Sequence, residues 1–335
     1  MIPGTLPCRQ PPAWQRELAR AVTDPAELIR LLELDPALLA PARRAAQAFR
    51  LRVPRGYLAR MRRGDPHDPL LRQVLPLGAE TEDVPGFVRD PVGDLGAMRG
   101  PGVLQKYRGR VLLTVTGACA VHCRYCFRRH FPYAAANPAA GNWQEALAAV
   151  RGDPSIREVI LSGGDPLALA DERLAGLVEA LAGIGHVLRL RVHTRLPIVL
   201  PERITEELVR LLTGTRLQAV VVVHANHPRE LGGAVDEGLA RLRASGVTLL
   251  NQSVLLRGVN DDADTLCALS EALFARGVLP YYLHLLDRVQ GAAHFDVDAD
   301  RARALWEQMA ARLPGYLVPR LVREEAGAPA KSIVR

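Results

Sequence analysis

The chain has 335 residues, of which 48% are apolar and 24% are charged, a balance typical of a soluble globular protein with one large domain or two. Its net charge of +7 comes mainly from scattered arginines without a long basic run, which argues against a nucleic-acid partner. No apolar run reaches the roughly 20 residues of a membrane span, and the Pro-rich N-terminus lacks the apolar core of a signal peptide. We therefore expect a cytoplasmic protein without a membrane partner.

The first part of the chain, residues 1–104, is predicted to be a mainly helical and partly irregular extension. The stretch TDPAELIRLLEL (23–34) combines a Thr/Asp cap, an early proline and apolar residues at helical spacing. Residues 54–105 are rich in Pro, Gly and Asp, which favours an irregular segment that wraps around the rest of the protein.

From residue 111 onward, short apolar runs alternate with amphipathic runs. The predicted strands are 111–117, 158–164, 187–194, 217–225, 246–256 and 278–286. The predicted helices between them are 142–150, 171–184, 204–212, 234–246 and 262–277. This order indicates an α/β fold with a parallel sheet or barrel.

Polar residues follow the predicted strands, where the carboxyl ends of parallel strands should meet. They are the cysteine loop 119–126 after the first strand, SGGDP (162–166) after the second, His193 and Thr194 after the third, His224 after the fourth, Gln252 on the fifth and Asp287 after the sixth. A barrel would bring these residues together in one site.

Three of the five cysteines lie in CAVHCRYC, at Cys119, Cys123 and Cys126. Structural zinc usually has four ligands, so a zinc site would need His122 or His130 as the fourth. An iron–sulfur cluster is normally held by thiolates, and three thiolates would leave one iron of a four-iron cluster open to a small molecule. Of the two isolated cysteines, Cys267 is expected to be a buried apolar residue of a helix, and Cys8 has no assigned role.

Lysine is rare, because only Lys106 and Lys331 stand among 43 lysines and arginines. A lysine amine can form a Schiff base, whereas an arginine cannot. The two lysines are therefore candidates for chemistry, although Lys331 could also be a solvated residue of the C-terminal tail.

The cysteine spacing CxxxCxxC after a first strand resembles the signature of the radical S-adenosylmethionine (SAM) enzymes. This resemblance implies a partial (βα)6 barrel and a [4Fe-4S] cluster whose open iron chelates SAM, at Cys119, Cys123 and Cys126. It also implies that the glycine-rich motif Ser162, Gly163, Gly164 and Asp165 holds the methionine amino group. His224 and Gln252 would contact the adenosyl part of SAM, or would simply be hydrogen-bonded residues of the structure.

The segments KYRGRVLLTVTGACAVHCRYCFRRHF, TRLPIVLPERIT and PYYLHLLDRVQGAAHF resemble the lysine 2,3-aminomutase family. The similarity is greatest to its short bacterial branch, and it runs from about residue 14 to the C-terminus. It implies conversion of L-lysine to (R)-β-lysine by a 5′-deoxyadenosyl radical, with the amino group held as an imine on pyridoxal 5′-phosphate (PLP). It also implies that β-lysine serves the modification of elongation factor P. The resemblance divides the chain into the extension 1–104, a barrel core 105–315 and a C-terminal cofactor segment 316–335.

By the same resemblance, Lys331 binds PLP, in a loop AGAPAK that departs from the family's PxGGGGK. Tyr107 and Arg110, next to Lys106, would contact the cofactor phosphate, although this segment could also be an exposed loop. Arg128, rather than the adjacent Arg129, would bind the substrate carboxylate. Asp287 and Glu324 would bind the distant ammonium, with Glu325 as an alternative to Glu324.

The implied partners are L-lysine, an external one-electron reductant, and, by a functional link, elongation factor P and its ligase; a homo-oligomer is possible. Three other functions stay open from the sequence. They are a 2,3-aminomutase of another amino acid, a radical SAM enzyme that modifies RNA, and a zinc-binding interaction module.

Overall fold

The computed structural model describes residues 11–134 and 143–334, so Cys8 lies outside the described residues. The predicted α/β fold is confirmed, with one open sheet as its central layer. The strands are β1 (Met98–Gly100), β2 (Val103–Leu104), β3 (Arg110–Thr116), β4 (Glu158–Gly163), β5 (Arg189–Thr194), β6 (Gln218–Val223), β7 (Thr248–Val254), β8 (Leu279–His284), β9 (Arg320–Arg323) and β10 (Ser332–Ile333).

The α-helices cover one side of the sheet and form the N-terminal extension. They are α1 (Ala13–Ala19), α2 (Pro25–Leu31), α3 (Leu39–Ala48), α4 (Arg55–Leu58), α5 (Pro69–Arg72), α6 (Gln144–Gly152), α7 (Asp171–Ala182), α8 (Leu196–Val199), α9 (Glu206–Thr213), α10 (Ala234–Ala244), α11 (Ala263–Ala275) and α12 (Ala299–Arg312). From β3 to α12 each strand is followed by a helix, as the sequence predicts, and β5 is followed by two, α8 and α9.

The strands follow one another across the sheet in chain order. Neighbouring strands from β3 to β9 are parallel, and antiparallel pairs close the two ends, β1–β2–β3 on one side and β9–β10 on the other. The segment predicted as a separate C-terminal part therefore contributes a seventh parallel strand to the same sheet. Its hairpin partner β10 follows directly after Lys331, so sheet pairing holds this lysine at the edge of the barrel.

The core lies between the outer face of the sheet and the helices. The run QAVVVV of β6 contains four β-branched valines, which suit a strand. Of these, Val221 and Val223 are buried in the main apolar cluster. Helices pack their apolar faces against this layer, for example α7 through Leu177 and Leu181. The predicted apolar role of Cys267 is borne out, because it lies buried in the cluster between β8, α11 and α12.

The N-terminal extension is tied to the carboxyl ends of the strands. Its segment 54–105 contains only short elements, as predicted, and Val88 forms an isolated parallel bridge with Val289. The amide of Val88 donates to the carbonyl of Arg288 at 2.9 Å, directly after Asp287. The extension thus packs beside the site that the sequence predicts. Within residues 11–134 and 143–334, no helix combines the length and the apolar character that a membrane span requires.

Candidate active site

Alternate side chains of the parallel strands point into the barrel, where they line a cavity of about 440 Å³. All the residues predicted for the site line this cavity. They are Cys119, Cys123, Cys126, Tyr107, Arg110, Arg128, Ser162, Gly163, Gly164, Asp165, His224, Gln252, Asp287, Glu324 and Lys331. The fold therefore brings together residues that lie more than 200 positions apart in the chain.

The cysteine loop follows β3, and its thiols are unpaired. Burial, with the neighbouring thiols, raises the pKa of Cys119 well above its usual value and that of Cys126 to about 11. Thiolates in such a place would require a bound cation to balance their charge, and the iron of a cluster would provide one. The donor set of three sulfur atoms facing a cavity fits a cluster with one iron open to a ligand.

A single zinc ion fits this loop less well. Among the described residues, no three Cys, His, Asp or Glu side chains are close enough together to hold one metal ion. Nδ1 of His122 lies 2.8 Å from the carbonyl oxygen of Arg50, and Nε2 of His130 lies 3.2 Å from that of Gln290. Thiolates of a cluster bind different irons and therefore stand further apart than the ligands of one ion.

The glycines of SGGDP are required because they pack on the backbone of the cysteine loop. A Cβ atom on Gly164 would lie 2.4 Å from the carbonyl oxygen of Ala118, and one on Gly163, whose φ is +112°, would lie 2.7 Å from that of Thr116. The amide of Gly164 donates to the carbonyl of Thr116 at 2.7 Å. The two motifs thus form one layer of backbone against the cavity.

Asp165 lines the cavity, and its carboxylate accepts hydrogen bonds from neighbouring residues. Its Oδ1 accepts from the hydroxyl of Thr194 at 2.7 Å and from the amide of Leu167 at 3.0 Å, and its Oδ2 accepts from the amide of Arg195 at 2.7 Å. Burial raises the pKa of this carboxyl to about 6, and these donors limit the rise. Asp165 therefore joins the ends of β4 and β5.

Arg195, which the sequence prediction missed, lies beside the cysteine loop. Its Nη1 donates to Sγ of Cys123 at 2.8 Å, and its Nη2 donates to Gln73 at 2.6 Å and to Glu230 at 2.9 Å. All these partners except Cys123 are fully buried. The signal in the sequence was an arginine at the carboxyl end of a predicted strand, directly after Thr194.

Glu324 binds the amine of Lys331, with Nζ 2.5 Å from Oε2. The hydroxyl of Tyr107 donates to Oε1 of Glu324 at 2.7 Å, and Nζ of Lys106 lies 3.6 Å from the same oxygen. Burial raises the pKa of Glu324, but these partners outweigh it and the pKa is lowered overall. Glu325 is exposed, does not line the cavity and accepts a hydrogen bond from Ser332, so the structure places Glu324 in the site.

Arg128 is held by a buried ion pair. Its Nε donates to Oδ2 of Asp94 at 2.6 Å, and its Nη1 donates to the hydroxyl of Ser162 at 3.2 Å. Oδ1 of Asp94 lies 2.6 Å from Nζ of Lys106. From Arg128 to Lys331 the cavity wall is therefore a row of five alternating charges. The neighbouring Arg129 instead forms a buried ion pair with Glu80 at 2.8 Å.

Asp287 is half-buried, and no side chain among the described residues forms a hydrogen bond or an ion pair with its carboxylate. Burial raises the pKa of Asp287 to about 7; Lys331 and Lys106 lower it, whereas Glu324 and Asp94 raise it. Such a carboxylate can accept a cationic group of a ligand.

The remaining predicted residues line the cavity and differ in how many contacts they make with neighbouring side chains. The guanidinium of Arg110 stacks 4.4 Å from the ring centroid of Tyr107. Nε2 of His224 lies 2.8 Å from the hydroxyl of Tyr125, and burial lowers the pKa of His224 to about 4. Gln252 projects from β7 into the cavity. Another residue, His284 on β8, was not predicted for the site, although the alternation of its strand points it inward.

A search of protein families matches residues 113–269 to the radical SAM superfamily. The L-lysine 2,3-aminomutase of Escherichia coli is 52% identical over 95% of this chain and 93% of its own length. The enzyme of the same name from Haemophilus influenzae is 45% identical over 99% of this chain and 98% of its own length. That from Acetoanaerobium sticklandii is 32% identical over 96% of this chain and 78% of its own.

Proposed function

Because the chain belongs to the lysine 2,3-aminomutase family of radical SAM enzymes, and is thus an isomerase, we propose that it converts L-lysine to (R)-β-lysine with a [4Fe-4S] cluster, SAM and PLP. One observation supports this most: a single cavity contains the three thiols of the cysteine loop and the amine of Lys331. A radical SAM enzyme that used no PLP would have no need of a lysine there.

The cysteine loop would hold the cluster, and SAM would lie against the backbone of Gly163 and Gly164. The cluster and SAM together would supply a 5′-deoxyadenosyl radical able to remove a hydrogen atom from the substrate. Cys119, Cys123 and Cys126 would hold the cluster by three thiolates, and Gly163 and Gly164 would leave room for the methionine part of SAM beside the loop. The buried walls exclude water, which protects a radical from side reactions.

Lys331 would hold PLP, which supplies the carbonyl group that carries the migrating nitrogen. The amine already lies in the cavity, where Glu324 keeps it in place at 2.5 Å. Arg110 and Tyr107 present a cation and a hydroxyl on the same wall, a combination that suits a phosphate group. The residues present therefore fit this cofactor.

The charges of the cavity suit a substrate with a carboxylate at one end and an ammonium at the other. Arg128 would bind the carboxylate, because Asp94 fixes its Nε and keeps the guanidinium in one orientation. Asp287 would accept the ammonium, since no described side chain pairs with it. Glu324 would also bind the substrate ammonium once the amine of Lys331 is bound to the cofactor and no longer pairs with this carboxylate.

The use of the product is proposed from the resemblance to the short bacterial branch. We propose that β-lysine serves the modification of elongation factor P by its ligase, with an external one-electron reductant to drive the cluster. The unpaired thiols of the loop suit the reducing cytoplasm, where we place the enzyme.

The test is an anaerobic assay of protein reconstituted with iron, sulfide and PLP, then reduced and incubated with SAM and L-lysine. Chiral chromatography with mass spectrometry should detect (R)-β-lysine only when every component is present. Lys331→Ala should abolish product while iron content stays normal, and Arg323→Ala, an exposed change on β9, should leave both unchanged. Formation of 5′-deoxyadenosine without β-lysine would refute the lysine proposal and leave the radical SAM assignment intact.

A further inference from the structure

His284, at the end of β8, presents an unsatisfied nitrogen to the cavity. The residue is 9% exposed, and its buried Nε2 has no hydrogen-bond partner among the described residues. Buried polar atoms are nearly always paired, so an unpaired atom on a cavity wall indicates a ligand that pairs with it. Nothing in the proposed function so far uses this imidazole.

The neighbours of His284 connect it to Lys331. The ring of Tyr282, two residues earlier on the same face of β8, lies 5.5 Å from the imidazole. The same ring lies 5.8 Å from Nζ of Lys331. Burial lowers the pKa of His284 well below its usual value, and the positive charge of Lys331 is the next cause. The imidazole is therefore uncharged at neutral pH, and its Nε2 can carry a proton as a donor.

Three other histidines line the same cavity, but they differ from His284. The ring of His122 has a partner, because its Nδ1 lies 2.8 Å from the carbonyl oxygen of Arg50. Nε2 of His224 already has the hydroxyl of Tyr125 as a partner. Nε2 of His193 is also buried and unpaired, but after burial the leading influence on the pKa of His193 is Arg191, ahead of Lys331. His284 is thus the histidine with an unsatisfied nitrogen for which Lys331 is the leading charged influence on the pKa.

We propose that Nε2 of His284 donates a hydrogen bond to the 3-oxygen of the pyridoxal ring when PLP is held on Lys331. This inference rests on the proposed function, because it requires PLP. In PLP the 3-oxygen is on the ring carbon next to the one that bears the aldehyde. Nζ of Lys331 and the imidazole of His284 lie near the same ring, that of Tyr282, so the 3-oxygen of a cofactor held by this amine would face the part of the cavity that Nε2 lines. An uncharged N–H suits the partial negative charge of that oxygen.

This hydrogen bond has a measurable consequence. The 3-oxygen shares a proton with the nitrogen of Lys331, and a second donor stabilises the oxygen in its anionic form. That donor reduces the attraction of the oxygen for the shared proton, so the proton leaves at lower pH. The midpoint of this proton's titration should therefore move upward by about one pH unit when the donor is lost, since a hydrogen bond to a charged group contributes roughly that much.

The experiment follows the visible absorbance of the lysine-bound cofactor from pH 6 to pH 10 in cluster-loaded protein. Each spectrum is taken as the difference between samples with and without PLP, so that the iron–sulfur absorbance cancels. The variants are His284→Leu, which has no donor, and His284→Gln, whose amide can donate. His67→Leu, at an exposed turn outside the cavity, is the matched control. Iron content and thermal unfolding verify that each variant folds.

We expect an upward shift for His284→Leu, a smaller shift for His284→Gln and none for His67→Leu. A shift caused by His193→Leu in place of His284→Leu would overturn the assignment, as would an unchanged midpoint in His284→Leu. If His284→Leu does not fold, His284→Phe, which also lacks a donor, takes its place, and a midpoint equal to that of His67→Leu counts against the proposal. If the wild-type protein shows no difference spectrum that depends on Lys331, the proposed function itself fails.

Discussion

Lys331 and Glu324 form an ion pair across seven residues of the C-terminal loop, with 2.5 Å between Nζ and Oε2. The loop begins after β9 and ends at β10, so the antiparallel pairing of these strands brings both residues to the barrel edge. In the proposed function, this carboxylate would hold the lysine that binds PLP, and would receive the substrate ammonium once that lysine is bound to the cofactor. The same pair would therefore connect cofactor loading with substrate binding.

Replacement of this carboxylate should weaken both steps. For Glu324→Gln we expect kcat/KM for L-lysine to fall by about 10- to 100-fold, because a charge-assisted hydrogen bond contributes about 1.5–3 kcal/mol. PLP content should also fall, since Lys331 loses its partner. Glu325→Gln is the control, because Glu325 is exposed and bonded to Ser332 outside the cavity. Equal losses in the two variants would show that Glu324 has no special role.

Asp287 makes a second prediction, which concerns pH. Its pKa is raised to about 7 by burial, with Lys331, Lys106, Glu324 and Asp94 as the charged groups around it. Below pH 7 the carboxyl is neutral and binds an ammonium poorly, so KM for L-lysine should rise as the pH falls from 8 to 6. Asp287→Asn should have a high KM that no longer changes through this titration. A parallel pH dependence in wild type and variant would contradict the assignment.

The same shift predicts how stability depends on pH. The folded protein holds this proton at pH values where the unfolded chain has lost it, so Asp287 destabilises the fold increasingly as the pH rises from about 4 to 7. Asp287→Asn should therefore raise the melting temperature of the ligand-free protein more at pH 8 than at pH 5. Calorimetry at the two pH values measures the difference, and an equal effect at both would show that the carboxyl titrates normally.

Much of the fold could be predicted from the sequence because its signals are local. Runs such as QAVVVV in β6 mark strands, and the cysteine loop and SGGDP follow their strands directly. The seventh parallel strand, β9, was missed because RLVR is short, and its pairing with β8 and β10 makes it a strand. Most of the site was named from the resemblance, since spacing alone did not distinguish Lys331 from a residue of the tail.

Long-range contacts between polar residues could not be predicted. Asp94 lies in an irregular segment, and nothing local shows that it pairs with Arg128, 34 residues later. Arg195, Glu230 and Gln73 come from three separate segments, and their network depends on how the extension packs against the barrel. His284 was overlooked because an unpaired nitrogen is a property of the folded cavity. These contacts depend on three-dimensional packing that no residue pattern encodes.

The network of Arg195 predicts a large loss of stability when one partner is removed. Arg195→Gln leaves the fully buried Glu230 without its cation, which should cost about 3–5 kcal/mol in the free energy of unfolding. The double variant Arg195→Gln with Glu230→Gln should recover part of this loss, because the uncompensated charge is gone. Urea unfolding of the wild type, the two single variants and the double variant completes a double-mutant cycle. Additive losses of unfolding free energy would show that Arg195 and Glu230 do not interact.

Two glycines, Gly164 and Gly176, provide a matched pair of substitutions that tests the packing against the cysteine loop. Gly164→Ala places a methyl group 2.4 Å from the carbonyl oxygen of Ala118, so the cysteine loop must move. We expect the variant to fold but to bind less than half of the wild-type iron after reconstitution. Gly176→Ala is the control, because a Cβ atom there meets nothing within 4 Å in helix α7, and alanine should stabilise the helix by up to about 1 kcal/mol. Normal iron content and a normal cluster spectrum in Gly164→Ala would show that the loop tolerates the displacement, and the close packing would then not be what shapes the cluster site.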